Sequence, residues 1–182
     1  MKKHIWQLLT LTGLLTLVSC ISDDENLDAI FEKEKQTIQQ FVQNYDVEYI
    51  RREDIGDTGV VVLFLEESEE GLTPNFDTDT LYVDYIGARL VDEMVFDTSI
   101  ESVAQDNDIH NPNRDYAPFR LSPQDRVIDG WYLGLSEMKE GDRALVIIPS
   151  AFAYGNQSPS PLIPPNTILK FEMELVKVAK PD

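Results

Sequence analysis

The chain has 182 residues, and its 42% hydrophobic and 9% aromatic content is enough for the core of one domain plus an appendage. Acidic residues outnumber basic ones by 33 to 15, which gives a formal net charge of -18. So much negative charge repels phosphate groups, and this argues against nucleic acid or an anionic membrane surface as a direct partner.

The first residues have the features of a secretion signal. Lys2 and Lys3 form a basic start, and a mostly apolar run follows from Ile5 to Val18. This run is shorter than the roughly 20 residues that a membrane-spanning helix needs, whereas it suits the core of a signal peptide. We therefore predict a signal peptide over residues 1–19.

Cys20 is the only cysteine of the chain and directly follows this segment, so no internal disulfide is expected. Leu17-Val18-Ser19-Cys20 resembles the lipobox of bacterial lipoproteins, in which the signal is cleaved before the cysteine and the thiol receives a diacylglycerol group. The resemblance implies a protein that is lipid-anchored to a membrane through Cys20. An ordinary secretion signal with an incidental cysteine is the alternative.

The segment after Cys20 is acidic, with the sequence Ser22-Asp23-Asp24-Glu25. It resembles the signal that sends some lipoproteins of the Bacteroidetes to the cell surface, and a solvated linker is the alternative. The expected location is therefore the cell envelope. The lipid would lie in the outer membrane, and the protein would face either the periplasm or the exterior.

One amphipathic helix is predicted after the acidic segment, because apolar side chains recur at helical spacing from Asn26 to Tyr45. Such a helix would pack on the domain that follows or space it from the membrane. A contact with a second copy of the chain is a further alternative. Residues 20–57 are thus predicted to form an acidic tether and an N-terminal helix.

Residues 58–182 carry the patterns of short strands. Leu81–Ile86 and Leu169–Leu175 alternate between apolar and polar side chains, as strands with one buried face do. Val60–Leu65 and Ala144–Ile148 are apolar runs typical of buried strands. The next strand after Leu81–Ile86 is predicted over 91–99.

One short helix and several loops complete this domain. Trp131, Leu135 and Met138 share one face of a helix over residues 130–139, which Gly141 stops. Polar or proline-containing segments at 66–79, 100–117 and 150–166 are predicted to be loops. Five or so strands around one helix predict an α+β domain of the antiparallel type.

Few side chains of this chain suit metal or nucleophilic chemistry. The histidines are His4, in the predicted signal, and His110, in a predicted loop. With Cys20 they form neither a zinc site nor a Cys–His nucleophile, and a Ser–His–Asp triad would depend on a flexible histidine. The Asp-x-Asp pairs at 77–79 and 106–108 lack the rest of a calcium loop. We expect no metal and no cofactor.

Aromatic and aliphatic side chains are the other candidate group, and each one alone is best interpreted as part of the core. Several motifs in chain order are more specific. They are Val83-Asp84-Tyr85-Ile86-Gly87, Val95-Phe96-Asp97-Thr98-Ser99, Val127-Ile128-Asp129-Gly130-Trp131, Phe152-Ala153-Tyr154-Gly155, Leu162-Ile163-Pro164-Pro165-Asn166 and Phe171-Glu172-Met173-Glu174-Leu175. Over residues 58–178 they resemble the ordered motifs of the FKBP family of peptidyl-prolyl cis–trans isomerases.

The resemblance implies an antiparallel sheet of five or six strands curled around one short helix, with the N-terminal helix as an addition. It also implies a proline pocket with Trp131 as its floor. The implied catalytic residues are Phe96, Asp97, Trp131 and Tyr154. The implied substrate-binding residues are Tyr85, Phe119, Val127, Ile128, Ile163 and Phe171, with the backbone N–H of Ile128 holding a substrate carbonyl and Leu121 as the alternative to Phe119.

Two segments depart from the family pattern. Asp92-Glu93 stands where the family has an Asp-Gly hairpin, and residues 100–117 exceed the usual connection. The second departure makes the rim of the implied pocket unusual.

The implied activity is rotation of Xaa-Pro imide bonds during the folding of envelope proteins. Proline-containing polypeptides would be the clients, and the macrolide ligand of the family would bind and inhibit. One alternative is an envelope chaperone that binds clients through the same pocket. The other is an FKBP-like structural lipoprotein with little catalytic activity.

Overall fold

Seven antiparallel strands form one sheet in the computed structural model, which describes residues 23–181. The helices are α1 (Asp23–Gln43), α2 (Glu101–Asp106) and α3 (Asp129–Ser136), and a 3-10 turn covers Ser150–Phe152. The strands are β1 (Arg51–Asp54), β2 (Val61–Glu66), β3 (Thr80–Arg89), β4 (Val95–Thr98), β5 (Phe119–Leu121), β6 (Arg143–Ile148) and β7 (Leu169–Ala179). Among these residues, no helix is both long and apolar enough to span a membrane.

The strands follow the order β1-β2-β6-β7-β3-β4, and β5 pairs with β3. The two longest strands, β3 and β7, pair along their whole length. On β7, Leu169, Phe171 and Met173 are buried, whereas the charged side chains between them are not. This period of two confirms the predicted strand and gives the sheet one face that is fully apolar.

Helix α3 packs on that face, and two glycines permit its close approach. A Cβ atom at Gly130 would lie 2.3 Å from a methyl carbon of Ile148, and one at Gly134 would lie 2.7 Å from Val146. Because both partners are on β6, the helix backbone rests directly on this strand. The predicted helix is confirmed, but it ends at Ser136, so Met138 lies beyond it and the predicted end at 139 is wrong. Its close contact with the sheet buries the indole of Trp131.

Helix α1 covers the opposite face of the sheet. Ile38 and Val42 are buried in a cluster with Leu63, Leu145 and Ile147. Strands β2 and β6 therefore bury side chains on both faces, which explains why their sequences are continuous apolar runs rather than alternating ones. The predicted N-terminal helix is confirmed with slightly earlier bounds, and it packs on the domain.

The sheet exceeds the expected five or six strands because β1 and β5 are not predictable from their sequences. β1 is a run of four charged residues. It is held at the sheet edge, where the guanidinium of Arg51 lies 3.8 Å from the ring centre of Phe64 and donates to Glu67. β5 has only three residues and pairs with β3. β1 lies before residue 58, in the segment that the sequence assigned to the tether and helix.

The region from 91 to 117 also differs from the prediction. Strand β4 is shorter than 91–99 because the chain turns sharply before it, and Glu93 adopts the left-handed φ of 58° that the glycine of an Asp-Gly hairpin would supply. The Glu93 side chain forms an ion pair of 2.8 Å with Lys170. Residues 100–117 are not a simple loop, since they contain α2, whose Ala104 is buried.

Candidate functional site

A cavity of about 190 Å³ lies between the first turn of α3, the sheet and the segment after the 3-10 turn. Aromatic and aliphatic side chains supply most of its wall, and the charged members are one acid and one base. The lining residues are Tyr85, Phe96, Asp97, Phe119, Arg126, Val127, Ile128, Trp131, Tyr154 and Phe171.

Trp131 is at the centre of the rings that form this cavity. Its ring centroid lies 5.1 Å from that of Tyr85, 5.7 Å from Phe119 and 5.4 Å from Phe171. All three pairs are nearly perpendicular, with interplanar angles of 75°, 88° and 82°. Edge-to-face packing of this kind is favoured over a face-to-face sandwich of the rings, so each ring restricts the orientation of its neighbours. The floor of the cavity is therefore a preformed apolar surface.

A polar network closes one side of the cavity. The Tyr85 hydroxyl donates to Oδ2 of Asp97 at 2.6 Å, and the guanidinium of Arg114 binds Oδ1 of the same carboxylate. Arg114 Nη2 also donates to the Tyr85 hydroxyl at 3.0 Å. Both oxygens of Asp97 thus have partners, and each residue of this triangle contacts the other two.

Burial and the hydrogen bonds of the network both shift the pKa values of these side chains. Burial raises the pKa of Tyr85 above its usual value, and the hydrogen bond to Asp97 raises this pKa further. For Arg114, burial alone would lower the pKa, but the hydrogen bonds to Asp97 and Tyr85 outweigh that effect and raise it. The pKa of Tyr154 is also raised, first by burial and then by the charge of Asp97. Both tyrosine hydroxyls therefore remain hydrogen-bond donors at neutral pH.

Two donors of the cavity wall are available to a ligand. Neither the Tyr154 hydroxyl nor the backbone N–H of Ile128 donates to another group within residues 23–181. Ile128 has an extended backbone directly before α3, so its N–H lies outside the hydrogen bonds of the helix. These two groups could bind carbonyl oxygens of a polypeptide that enters the apolar cavity.

Nine of the ten residues that the family resemblance implied line this cavity. Ile163 is the exception: it is not among the lining residues, and it is buried in the same apolar cluster as Trp131 and Phe171. Its backbone is held by a bond from its N–H to Ser160 and another from Ser158 to its carbonyl, which direct the side chain inward. Of the two candidates on β5, Phe119 lines the cavity, whereas Leu121 packs in the core.

Sequence reasoning missed two basic residues of the site. Arg126 lines the cavity, and Arg114 reaches Asp97 from the segment after α2. The one signal for Arg114 was that it is the only lysine or arginine between 100 and 117. The contact of Arg114 with Asp97 could not be predicted, because residues 100–117 form a long segment. The path of this segment back to the cavity includes α2 and the stacked rings of His110 and Tyr116.

A second and larger cavity, of about 490 Å³, lies between α1, the turn after β3 and residues 164–168. It has no aromatic lining, so its size does not make it the better candidate for binding a prolyl ring. Within residues 23–181, no group of three or more histidine, cysteine, aspartate and glutamate side chains could hold a metal ion. Cys20 and the predicted signal lie outside the described residues.

The fold and the cavity define an α+β protein with a preformed aromatic binding site. The family described as FKBP-type peptidyl-prolyl cis-trans isomerase matches residues 74–176, which is more than half of the chain. The chain therefore belongs to this family, as its motifs indicated.

Several relatives are named for the same activity. A probable FKBP-type peptidyl-prolyl cis-trans isomerase, FkpA of Neisseria meningitidis serogroup B, is 38% identical over 62% of this chain and 36% of its own length. FkpA of Escherichia coli K12 is 36% identical over 66% of this chain and 38% of its own length. The chain thus spans well under half the length of these relatives.

Two solved structures share the fold. A peptidyl-prolyl cis-trans isomerase of Pseudomonas syringae superposes with a TM-score of 0.60 at 25% identity, covering 84% of this chain and 96% of that one. FkpA of Escherichia coli superposes with a TM-score of 0.58 at 28% identity, covering 86% and 62%. These similarities confirm the predicted α+β fold with its antiparallel sheet.

Proposed function

We propose that this protein accelerates cis–trans isomerisation of Xaa-Pro bonds in polypeptide clients. The observation that carries the proposal is the aromatic cavity around Trp131, in which every wall residue except Asp97 and Arg126 is uncharged. The names of the relatives support the same activity. No cofactor enters the proposal, because the reaction breaks no covalent bond.

The reaction requires an apolar environment and no nucleophile. Resonance makes the peptide C–N bond partly double, and the barrier to its rotation is about 18–20 kcal/mol. Resonance is lost at the twisted transition state, so charge separation across the imide falls. An apolar cavity therefore disfavours the planar ground state relative to the twisted one. Lowering the barrier by about 5–6 kcal/mol would accelerate rotation about 10⁴-fold.

The cavity residues have different roles in this reaction. The prolyl ring would rest on Trp131 between the edges of Phe96 and Phe171. The N–H of Ile128 and the hydroxyl of Tyr154 would bind carbonyl oxygens that flank the proline, which fixes the peptide while the imide rotates. Asp97 would act through Tyr85 and Arg114, because both of its oxygens already have partners.

A prolyl-peptide isomerisation assay on the purified protein tests this function. We expect faster cis–trans exchange, and we expect the macrolide ligand of the family to inhibit it. Trp131 also provides a binding signal, since the only other tryptophan is Trp6, in the predicted signal peptide. A folded protein that neither accelerates exchange nor binds the macrolide would overturn the proposal. If such a protein still suppressed aggregation of an unfolded client, the chaperone alternative would replace it.

We further propose that the protein is a lipoprotein of the cell envelope, as in the Bacteroidetes, anchored through Cys20 in the outer membrane and active on envelope clients. The apolar run that ends in Leu17-Val18-Ser19-Cys20 and the acidic segment after it support this location. Stable anchoring needs two membrane signals, and two acyl chains on one lipid group meet that need.

Metabolic labelling tests the anchor. A fatty-acid probe should label the wild-type protein in a bacterial host that processes lipoproteins, and Cys20→Ala should abolish the label because the acceptor thiol is absent. Cys20→Ala should also move the protein from the membrane fraction to the soluble fraction. Equal labelling of the two proteins would contradict the proposal.

A further inference from the structure

A buried carboxylate joins α1 to the turn that precedes Tyr154. Glu34 is 6% exposed, and its two oxygens accept hydrogen bonds from the backbone N–H and the side-chain hydroxyl of Ser150, at 2.8 and 2.7 Å. Ser150 is itself 4% exposed. Burying a carboxylate is costly unless hydrogen bonds within the protein replace those that it makes to water. Here Ser150 donates one hydrogen bond to each of the two oxygens of Glu34.

Ser150 organises the turn that carries Tyr154. Its carbonyl oxygen accepts from the N–H of Ala153 at 2.9 Å and from the N–H of Gly155 at 2.8 Å, so the residues on both sides of Tyr154 are bonded to it. A contact of Phe152 with Phe31 on α1, 6.4 Å between ring centroids, adds a second tie between the helix and this turn.

Helix α1 also has contacts with the sheet that do not involve these ties. The buried side chains Ile38 and Val42 attach the helix through the apolar cluster on the outer face. Glu34 lies one turn earlier and bonds only to the Ser150 turn among the described residues. Its carboxylate is therefore a specific tie between α1 and this turn.

We propose that Glu34 is a positioning residue for the isomerase site, which holds the Tyr154 side chain against the cavity by fixing the Ser150 turn. The inference rests on the proposed function for its catalytic consequence. It gives α1, which covers the sheet face opposite the cavity, a direct effect on catalysis. A displacement of a binding group by about 1 Å is enough to lower a rate by orders of magnitude.

Two substitutions of Glu34 test whether this residue positions the Ser150 turn or is only a buried polar group. Glu34→Ala removes both acceptors and should lower kcat/KM for a prolyl peptide about tenfold, because Tyr154 loses its fixed place. Glu34→Gln should restore most of the activity. Its amide oxygen can accept from the Ser150 N–H, and its amide N–H can donate to the Ser150 hydroxyl.

Asp142→Ala is the matched control. Asp142 is also a buried carboxylate, 2% exposed, and it accepts backbone N–H groups of Ser68 and Lys139. It lies at the opposite end of β6 from Ser150. We expect Asp142→Ala to lower Tm at least as much as Glu34→Ala while kcat/KM stays within about twofold of wild type, because the two sites share no partner.

Ring NMR signals of Tyr154, assigned with Tyr154→Phe, give a readout that does not depend on activity. They should shift and broaden in Glu34→Ala and remain as in wild type in Glu34→Gln and Asp142→Ala. If Glu34→Ala does not fold, Ser150→Ala, which removes one of the two bonds, should show the same change in milder form. A folded Glu34→Ala with unchanged Tyr154 signals, or the same change in Asp142→Ala, would overturn the inference. An inactive wild type would refute the proposed function alone, since the NMR comparison would still decide the role of Glu34.

Discussion

Asp97→Val is expected to lower kcat/KM for an Xaa-Pro peptide at least about tenfold, the equivalent of about 1.4 kcal/mol in the activation barrier. The carboxylate of Asp97 orients the Tyr85 hydroxyl and neutralises Arg114 at the edge of the cavity. Valine suits a strand, so β4 should remain intact. The loss should therefore come from a displaced Tyr85 and an unpaired guanidinium beside the imide, with the circular dichroism spectrum unchanged.

Asp92→Val provides the comparison for this variant. Asp92 also pairs with an arginine, Arg89, but at the turn before β4 and away from the cavity. An exposed pair of this kind contributes little to stability, and its loss should leave kcat/KM unchanged. Asp97→Asn should give an intermediate value, because its amide keeps one acceptor for Tyr85. A folded Asp97→Val with wild-type kcat/KM would show that the network does not support catalysis.

The elements that could be predicted from sequence are those whose pattern depends on neighbours along the chain. β7 alternates because one of its faces is buried, and α3 places Trp131 and Leu135 on one side because its period is that of a helix. The motif resemblance then brings these elements into one site. Their type and order follow from local patterns alone.

The features that could not be predicted depend on partners far along the chain. β1 has no apolar residue, and it forms a strand because its backbone pairs with β2, where the Arg51 side chain also contacts Phe64 and Glu67. Arg114 reaches Asp97 only because α2 and the stacked pair of His110 and Tyr116 shape the segment before it.

The contact between Glu34 and Ser150 also could not be predicted from the local sequence. A glutamate on the apolar face of an amphipathic helix looks like a break in the pattern of α1. In the structure it is satisfied by Ser150, 116 positions later in the chain. Its burial indicates that α1 is part of the same folded unit as the cavity.

Trp131→Ala should have the largest effect of any single substitution, on stability as well as on binding. The indole is 5% exposed and packs against Tyr85, Phe119 and Phe171. Removing a buried tryptophan costs about 3–5 kcal/mol, because the surrounding rings close only part of the void. We expect the free energy of unfolding, measured in denaturant by circular dichroism, to fall by this amount.

The same substitution should weaken macrolide binding and kcat/KM by more than its effect on folding explains. Leu145→Ala supplies the comparison, since Leu145 is buried in the cluster beneath α1 and does not line the cavity. Such a truncation costs about 2–5 kcal/mol of stability, yet it removes no wall of the site. Under conditions where both variants are fully folded, macrolide affinity measured by calorimetry should fall at least about tenfold in Trp131→Ala, or about 1.4 kcal/mol, and stay at the wild-type value in Leu145→Ala. Equal affinities in the two folded variants would mean that the indole supports only the core, and the cavity would lose its role as the prolyl site.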